Sequence, residues 1–228
     1  MTLTDPVQSE APAAAETADE TPRGTALASF IAAKLCHDFI SPAGAIVSGL
    51  DLLKDPSAQD MRDDAMNLIE QSAEKLVQIV NFARVAYGAA TTAESFDAGE
   101  LRKLVEETFS GLRAELAWEV TEGTFEKPAA RALLNLAHLA GQALPAGGVA
   151  TIRVVREGDG MVMTAESKGA RARLKPEQLV GLRGEQLTEG LAGQWIQGFW
   201  LSEVVREAGG TLTAETAEEL VRIEIRLP

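Results

Sequence analysis

The chain has very little with which to build a covalent or metal-held framework. Its 228 residues include one cysteine, Cys36, and two histidines, His37 and His138. A lone thiol closes no intramolecular disulfide and fits a reducing cytoplasm. No Cys/His cluster has zinc-ligand spacing, so no metal site is expected. Basic residues are scarce: 21 Lys and Arg against 34 Asp and Glu give a formal net charge of -13. That balance excludes the basic footprint of non-specific nucleic-acid binding. No apolar run approaches the roughly 20 residues of a membrane span. The N-terminus lacks the basic-then-apolar pattern of a secretory signal. The expectation is a cytoplasmic protein with no membrane attachment. What remains is ordinary for a soluble globular chain, 46% hydrophobic and 24% charged, with length for one large or two small domains.

Residues 1–24 are rich in Ala, Thr, Pro and Glu and nearly devoid of large apolar side chains. Such a segment buries too little surface to offset its ordering entropy, so a disordered acidic tail is expected. From about Leu27 to Lys54, Leu27, Ile31, Leu35, Ile46, Leu50 and Leu53 recur near helical spacing, with Phe30 and Phe39 alongside. Lys34, His37, Asp38, Ser41 and Ser48 fall largely on the opposite side. Pro42 is expected to bend this helix, and Gly44 and Gly49 to weaken it or admit a close neighbour. Lys54-Asp55-Pro56-Ser57 turns the chain into a second amphipathic helix, about Ala58 to Tyr87. Two such helices joined by a short turn form an antiparallel hairpin. A lone hairpin buries only part of its apolar stripe, and a homodimer forming a four-helix bundle completes it.

Residues 88–95 read as a small-residue linker, which divides a hairpin domain (25–90) from a second domain (95–228). There Asp97 caps a helix to about Ala114, Leu116 to Val120 alternates as a strand, and Lys127 to Leu144 is helical. Val149–Val155 and Met161–Ala165 flank Gly158-Asp159-Gly160, a hairpin signal. Lys175–Glu189 is ambiguous, with room for a short helix. Gln194–Ala208 forms a helix that Gly209-Gly210 ends. Thr211–Glu215 and Leu220–Leu227 are strands; in the last, Val221, Ile223, Ile225 and Leu227 face inward. The fold class is α+β: a helical hairpin, then an antiparallel or mixed sheet with helices on one face.

The chemistry concentrates at Leu35-Cys36-His37-Asp38-Phe39-Ile40-Ser41-Pro42. Here an imidazole on an exposed helix face has an acid beside it and a hydroxyl one turn on. A phosphoryl-carrying nucleophile must be partly neutral near pH 7, and histidine, with an ordinary pKa of about 6.5, meets that condition. His37 through Ile46 resembles the H-box of two-component histidine kinases: His, acid, a polar residue four on, Pro five on, then a small-Ile pair. The element order after residue 95 resembles the Bergerat ATPase domain that follows such hairpins. Leu133-Leu134-Asn135-Leu136-Ala137-His138-Leu139-Ala140 is similar to its N-box helix. Ala208-Gly209-Gly210-Thr211-Leu212 and the Arg226-Leu227-Pro228 end are similar to its final elements. The nucleotide-binding parts do not carry over. Leu139 stands where a second Mg²⁺-holding polar residue belongs. Ala165-Glu166-Ser167-Lys168-Gly169-Ala170 replaces the Asp-x-Gly-x-Gly that reads adenine. Ile196-Gln197-Gly198-Phe199-Trp200 replaces the glycine turn over the phosphates.

An intact H-box hairpin with a decayed ATPase domain resembles the ChpT-type histidine phosphotransferases. That resemblance implies a cytoplasmic homodimer. It would take a phosphoryl group from the receiver domain of a hybrid histidine kinase and pass it through His37 to response-regulator receiver domains. It implies no cofactor of its own and no ATP, the receiver supplying Mg²⁺. Asp38 would orient the imidazole or accept its proton, or be an ordinary exposed acid. Ser41 would bond the incoming group or its own helix backbone. Lys34 would steer the acidic receiver pocket, or merely be solvated. Phe39, Pro42, Ala45 and Ser48 are the other expected docking positions. His138 reads as structural, Cys36 as inert, and Trp195, Phe199 and Trp200 as core or a second receiver contact. An active kinase with a divergent ATP site and a non-catalytic receiver-binding adaptor are the alternatives.

Overall fold

The computed structural model describes residues 24–88, 93–186 and 192–228. The tail, the middle of the linker and the end of the ambiguous 175–189 stretch lie outside the described residues. Helices α1 (Thr25–Lys54) and α2 (Arg62–Ala86) form the hairpin. Asp55 shapes the connection by accepting from the hydroxyl and the backbone N–H of Ser57 at 2.7 and 2.8 Å. These two bonds hold its carboxyl below the ordinary carboxylate range. A single 3₁₀ turn, Gln59–Met61, then leads into α2.

Helix α1 runs without interruption through Pro42, which is buried. Gly49 is the point of closest approach: a Cβ there would stand 2.6 Å from Ile69 Cγ1 and 3.1 Å from the Ala65 carbonyl. Gly44 faces open space. By length and composition α1 is apolar enough to cross a membrane, contrary to the expectation that no segment reaches that limit. Its Ala, Gly and Ser residues dilute few charges, so a long window is apolar on average without one unbroken run.

After residue 93 comes a strand pair missing from the sequence reading, β1 (Ser95–Asp97) with β3 (Thr124–Glu126), pairing Phe96 with Phe125. Asp97 then caps α3 (Ala98–Phe109), accepting from Gly99 N–H at 2.8 Å. Strands β2 (Ala114–Val120), β4 (Gly148–Glu157), β5 (Gly160–Lys168), β6 (Thr211–Ala217) and β7 (Leu220–Leu227) make a five-stranded sheet in the order β2-β4-β5-β7-β6. Only β2 and β4 run parallel, so the sheet is mixed. Gly158, at φ 65°, supplies the left-handed residue that the β4–β5 turn needs. Along β7, Val221, Ile223, Ile225 and Leu227 are buried as expected. The opposite face is zipped by ion pairs such as Arg153–Glu119 and Arg226–Glu224.

Helix α4 (Lys127–Gln142) is the centre of the core, with Leu133, Leu134, Leu136 and Leu139 fully buried. Helix α5 (Pro176–Leu182) settles the ambiguous stretch, and α6 (Ala192–Glu207) packs across it. Hairpin and sandwich are one packed body. Phe82 and Ala86 of α2 belong to the same core as Leu101 of α3 and Leu133 of α4. Trp195, Ile196 and Phe199 of α6 form a second cluster against Leu27 and Ile31 of α1. Phe30 meets Trp195 edge-on at 5.6 Å, and Trp195 stacks on Phe199 at 4.5 Å.

Candidate functional site

The inner face of α1 is built from residues 34, 38, 42, 45 and 49, one helical stripe. All five are buried or half-buried. Lys34 and Asp38 therefore lie on the packed side of the helix, not on the wet side the sequence assigned them. The reason is that small or short residues line this stripe, while larger apolar ones, Ile40 and Val47 among them, point outward. The Lys34 side chain is 12% exposed, and its amine lies 2.6 Å from Asp38 Oδ2. It is not a freely solvated lysine: its amine is turned onto Asp38 while the residue itself borders the cleft beside His37.

His37 sits at the edge of this pair. Its side chain is 88% exposed, and Nδ1 lies 3.5 Å from Asp38 Oδ1. Ser41, exposed on the next turn, borders the same cleft. That cleft has a volume of about 680 Å³ and lies between the hairpin and the sandwich. His37, Asp38, Ser41 and Pro42 line it from α1, Gln71 and Lys75 from α2, Ser110–Leu112 from the turn after α3, and His138 and Gln142 from α4. Phe39 is half-buried, Ala45 lies on the inner stripe, and Ser48 is exposed; none of the three lines the cleft. Cys36 is exposed.

His138 is drawn into the site, where the sequence placed it only in the core. Its ring lies 5.3 Å from that of Phe82. The Lys175 N–H donates to Gln178 Oε1, and the Gln178 amide donates to Gln142 Oε1. The Gln142 amide therefore donates to His138 Nε2 at 2.8 Å. This chain of bonds puts the proton on Nδ1, which is shielded from solvent and has no partner among the described residues. Burial first, and the charge of Lys34 second, lower its pKa from 6.5 to about 4, with Asp38 opposing. His138 is thus neutral near pH 7. Sequence spacing gave no sign of this, because the cleft that His138 shares with α1 is formed entirely by tertiary packing.

The residues at the expected nucleotide site are engaged internally. Asn135 is fully buried; its amide donates to the carbonyls of Ala86 and Arg131, and its oxygen accepts from Gln197 at 2.5 Å. Gln197 in turn accepts from the Tyr87 hydroxyl at 2.7 Å. Burial and the charge of Asp38 push the Tyr87 phenol well up. Trp200 Nε1 donates to the Ala86 carbonyl, and the Arg131 guanidinium donates to that of Gly88. Gly198 packs against the carbonyl of Gln178, leaving no room for a Cβ. Trp195 and Phe199 are core, and Trp200 is a joint residue. Among the described residues no cluster of metal-ligating side chains occurs.

Comparison with known proteins agrees with this arrangement. The family model described as histidine phosphotransferase C-terminal domain matches residues 98–220. The protein phosphotransferase ChpT of Brucella abortus (strain 2308) is 31% identical over 197 residues, covering 86% of this chain and 93% of that one. The 1.7 Å structure of a bacterial phosphotransferase superposes with a TM-score of 0.80 at 28% identity, over 91% of this chain and 98% of the other.

Proposed function

This chain belongs to the ChpT-type histidine phosphotransferase family, and from that premise we propose that His37 carries a phosphoryl group between the aspartates of receiver domains. The observation that carries the reading is one imidazole, 88% exposed, with a carboxylate 3.5 Å from Nδ1 and a cleft beside it. Nε2 is then the nucleophile. It attacks the phosphorus of a receiver's aspartyl phosphate in line, and yields the group to a second receiver's aspartate by the reverse step. Such transfer rests on positioning and charge neutralisation. The receiver supplies the aspartate and Mg²⁺, and this chain supplies neither metal nor nucleotide. The internal bonds of Asn135 and the buried Leu139 support a domain that works without ATP.

The cleft is walled on one side by the hairpin and on the other by Ser110–Leu112 and Gln142. The sandwich would thus supply docking surface for the receiver. A second copy of the chain would cover the outer hairpin face, where Ile40, Val47, Leu50, Met66, Val77 and Val80 are exposed. In this reading the protein works in the cytoplasm as a homodimer, in a relay from a hybrid kinase's receiver to response regulators. The test is transfer of label from a phosphorylated receiver domain. Wild type should become labelled, in an acid-labile bond, and His37→Ala should bind the receiver and stay unlabelled. A labelled His37→Ala would move the chemistry elsewhere.

A further inference from the structure

We propose that Lys34 is a positioning residue: through Asp38 it holds His37 in the tautomer whose Nε2 is the free nucleophile. This rests on the proposed chemistry at His37. A lysine that steers a distant partner works through a solvated amine. Lys34 instead folds inward, 12% exposed, to meet Asp38 at 2.6 Å. Helix stability does not account for it. An i, i+4 pair of this kind contributes little, and the order here, cation before acid, is the weaker one. The consequence lies on the other oxygen. With Oδ2 tied to Lys34, Oδ1 is directed at His37 Nδ1, 3.5 Å away.

The surroundings leave Asp38 no substitute. Among the described residues its only ion-pair contacts are Lys34 and His37 itself. His138 is nearby but neutral, its Nε2 accepting from Gln142. The carboxylate also acts on the half-buried Tyr87, so the pair is lodged at the junction of α1, α2 and α4. A carboxylate accepting at Nδ1 requires the proton there, which leaves Nε2 bare on the exposed side of the ring. In the transfer, the Nε2 lone pair forms the N–P bond as the P–O bond to the donor aspartate breaks, the electron pair leaving with that carboxylate. The Nδ1 proton stays in place. Asp38 offsets the positive charge that develops on the ring, and the long resting contact shortens as it does.

The test uses the full chain. Nitrogen-15 spectra of the two histidine rings, assigned with His37→Gln, read the tautomer directly. Phosphoramidate, which phosphorylates histidine and releases ammonia, reads nucleophile reactivity with no partner to be steered. Lys34→Met and Lys34→Gln remove the charge, and Lys34→Arg keeps it. Wild type and Lys34→Arg should show a protonated Nδ1. The neutral variants should shift toward a protonated Nε2 and react about tenfold more slowly. Asp38→Asn should reproduce the shift with Lys34 intact, which covers the case of neutral Lys34 variants that fail to fold. Wild-type spectra and phosphoramidate rates in the neutral variants, with weakened and salt-sensitive receiver binding, would overturn the proposal and make Lys34 a steering residue. If no receiver ever labels wild type, the phosphotransfer reading fails, and the spectra still decide what Lys34 does.

Discussion

The hairpin and the sandwich treat their surfaces in opposite ways. The sandwich closes its core around α4 and covers the outer sheet face with cross-strand ion pairs, Arg153–Glu119 and Arg226–Glu157 among them. The hairpin leaves Ile40, 69% exposed, and a row of Val, Leu and Met in the open, and holds a lysine and an aspartate on its inner face. The region that keeps apolar surface exposed is also the one that carries the candidate nucleophile. The region with the nucleotide-domain element order has turned its polar groups inward, onto the end of α2. On the proposed reading the open part carries the phosphoryl chemistry, and the closed part is the rigid wall against which a receiver would dock.

The largest effect that sharpens this contrast is at His37. His37→Ala is expected to abolish phosphoryl acceptance while the melting temperature stays within a degree or two, since the side chain is exposed. A radiolabel assay and a thermal melt check the two halves. Next is the outer hairpin face. Val47→Asp places a charge on exposed apolar surface and should weaken self-association about tenfold or more, read by sedimentation, with the monomer still folded. At the joint, Gln197→Ala removes the acceptor of Tyr87 and the donor to Asn135. It should destabilise the fold by roughly 1–3 kcal/mol, because buried partners are left unpaired. Urea denaturation measures it.

A smaller effect is set by pH. His138 stays neutral in the fold, with a pKa near 4 against an ordinary 6.5. The unfolded chain takes up a proton below about pH 6.5 and the folded chain only near pH 4. Stability is therefore full above that window and is lost as pH falls through it. His138→Gln should flatten this part of the stability curve, above the range where the carboxylates titrate. The smallest effect is on the sheet face. Arg153→Ala breaks its exposed pair with Glu119, and the change should stay within about 0.5 kcal/mol.

Much of this was readable from the sequence. Helical spacing marked both hairpin helices, Asp97 announced its cap, Gly158-Asp159-Gly160 its turn, and the alternation of β7 its buried side. His37-Asp38 stood out as the candidate chemical site before any contact was known. The β1–β3 pair was not legible, since three residues are too few for alternation to register. The facing of Lys34 and Asp38 was misjudged because their charge was taken to mark the wet side of α1. The structure packs the Lys34–Gly49 stripe inward, beside the half-buried Leu27, Ile31, Leu35 and Ile46. The Tyr87–Gln197–Asn135 chain joins residues up to 110 positions apart, and local pattern holds no trace of such a pairing. Leu139 and the missing glycine turn set the sequence apart from the nucleotide-binding pattern, but gave no sign that Asn135 and Gln197 fasten the sandwich to the end of the hairpin through Ala86 and Tyr87.

The most direct measurement supplies the protein with label from two sources side by side, Mg²⁺ with ATP alone and a prephosphorylated receiver domain. The account predicts label on His37 from the receiver only. Label from ATP alone would contradict it, making the sandwich a working kinase domain and erasing the division of labour between the two regions.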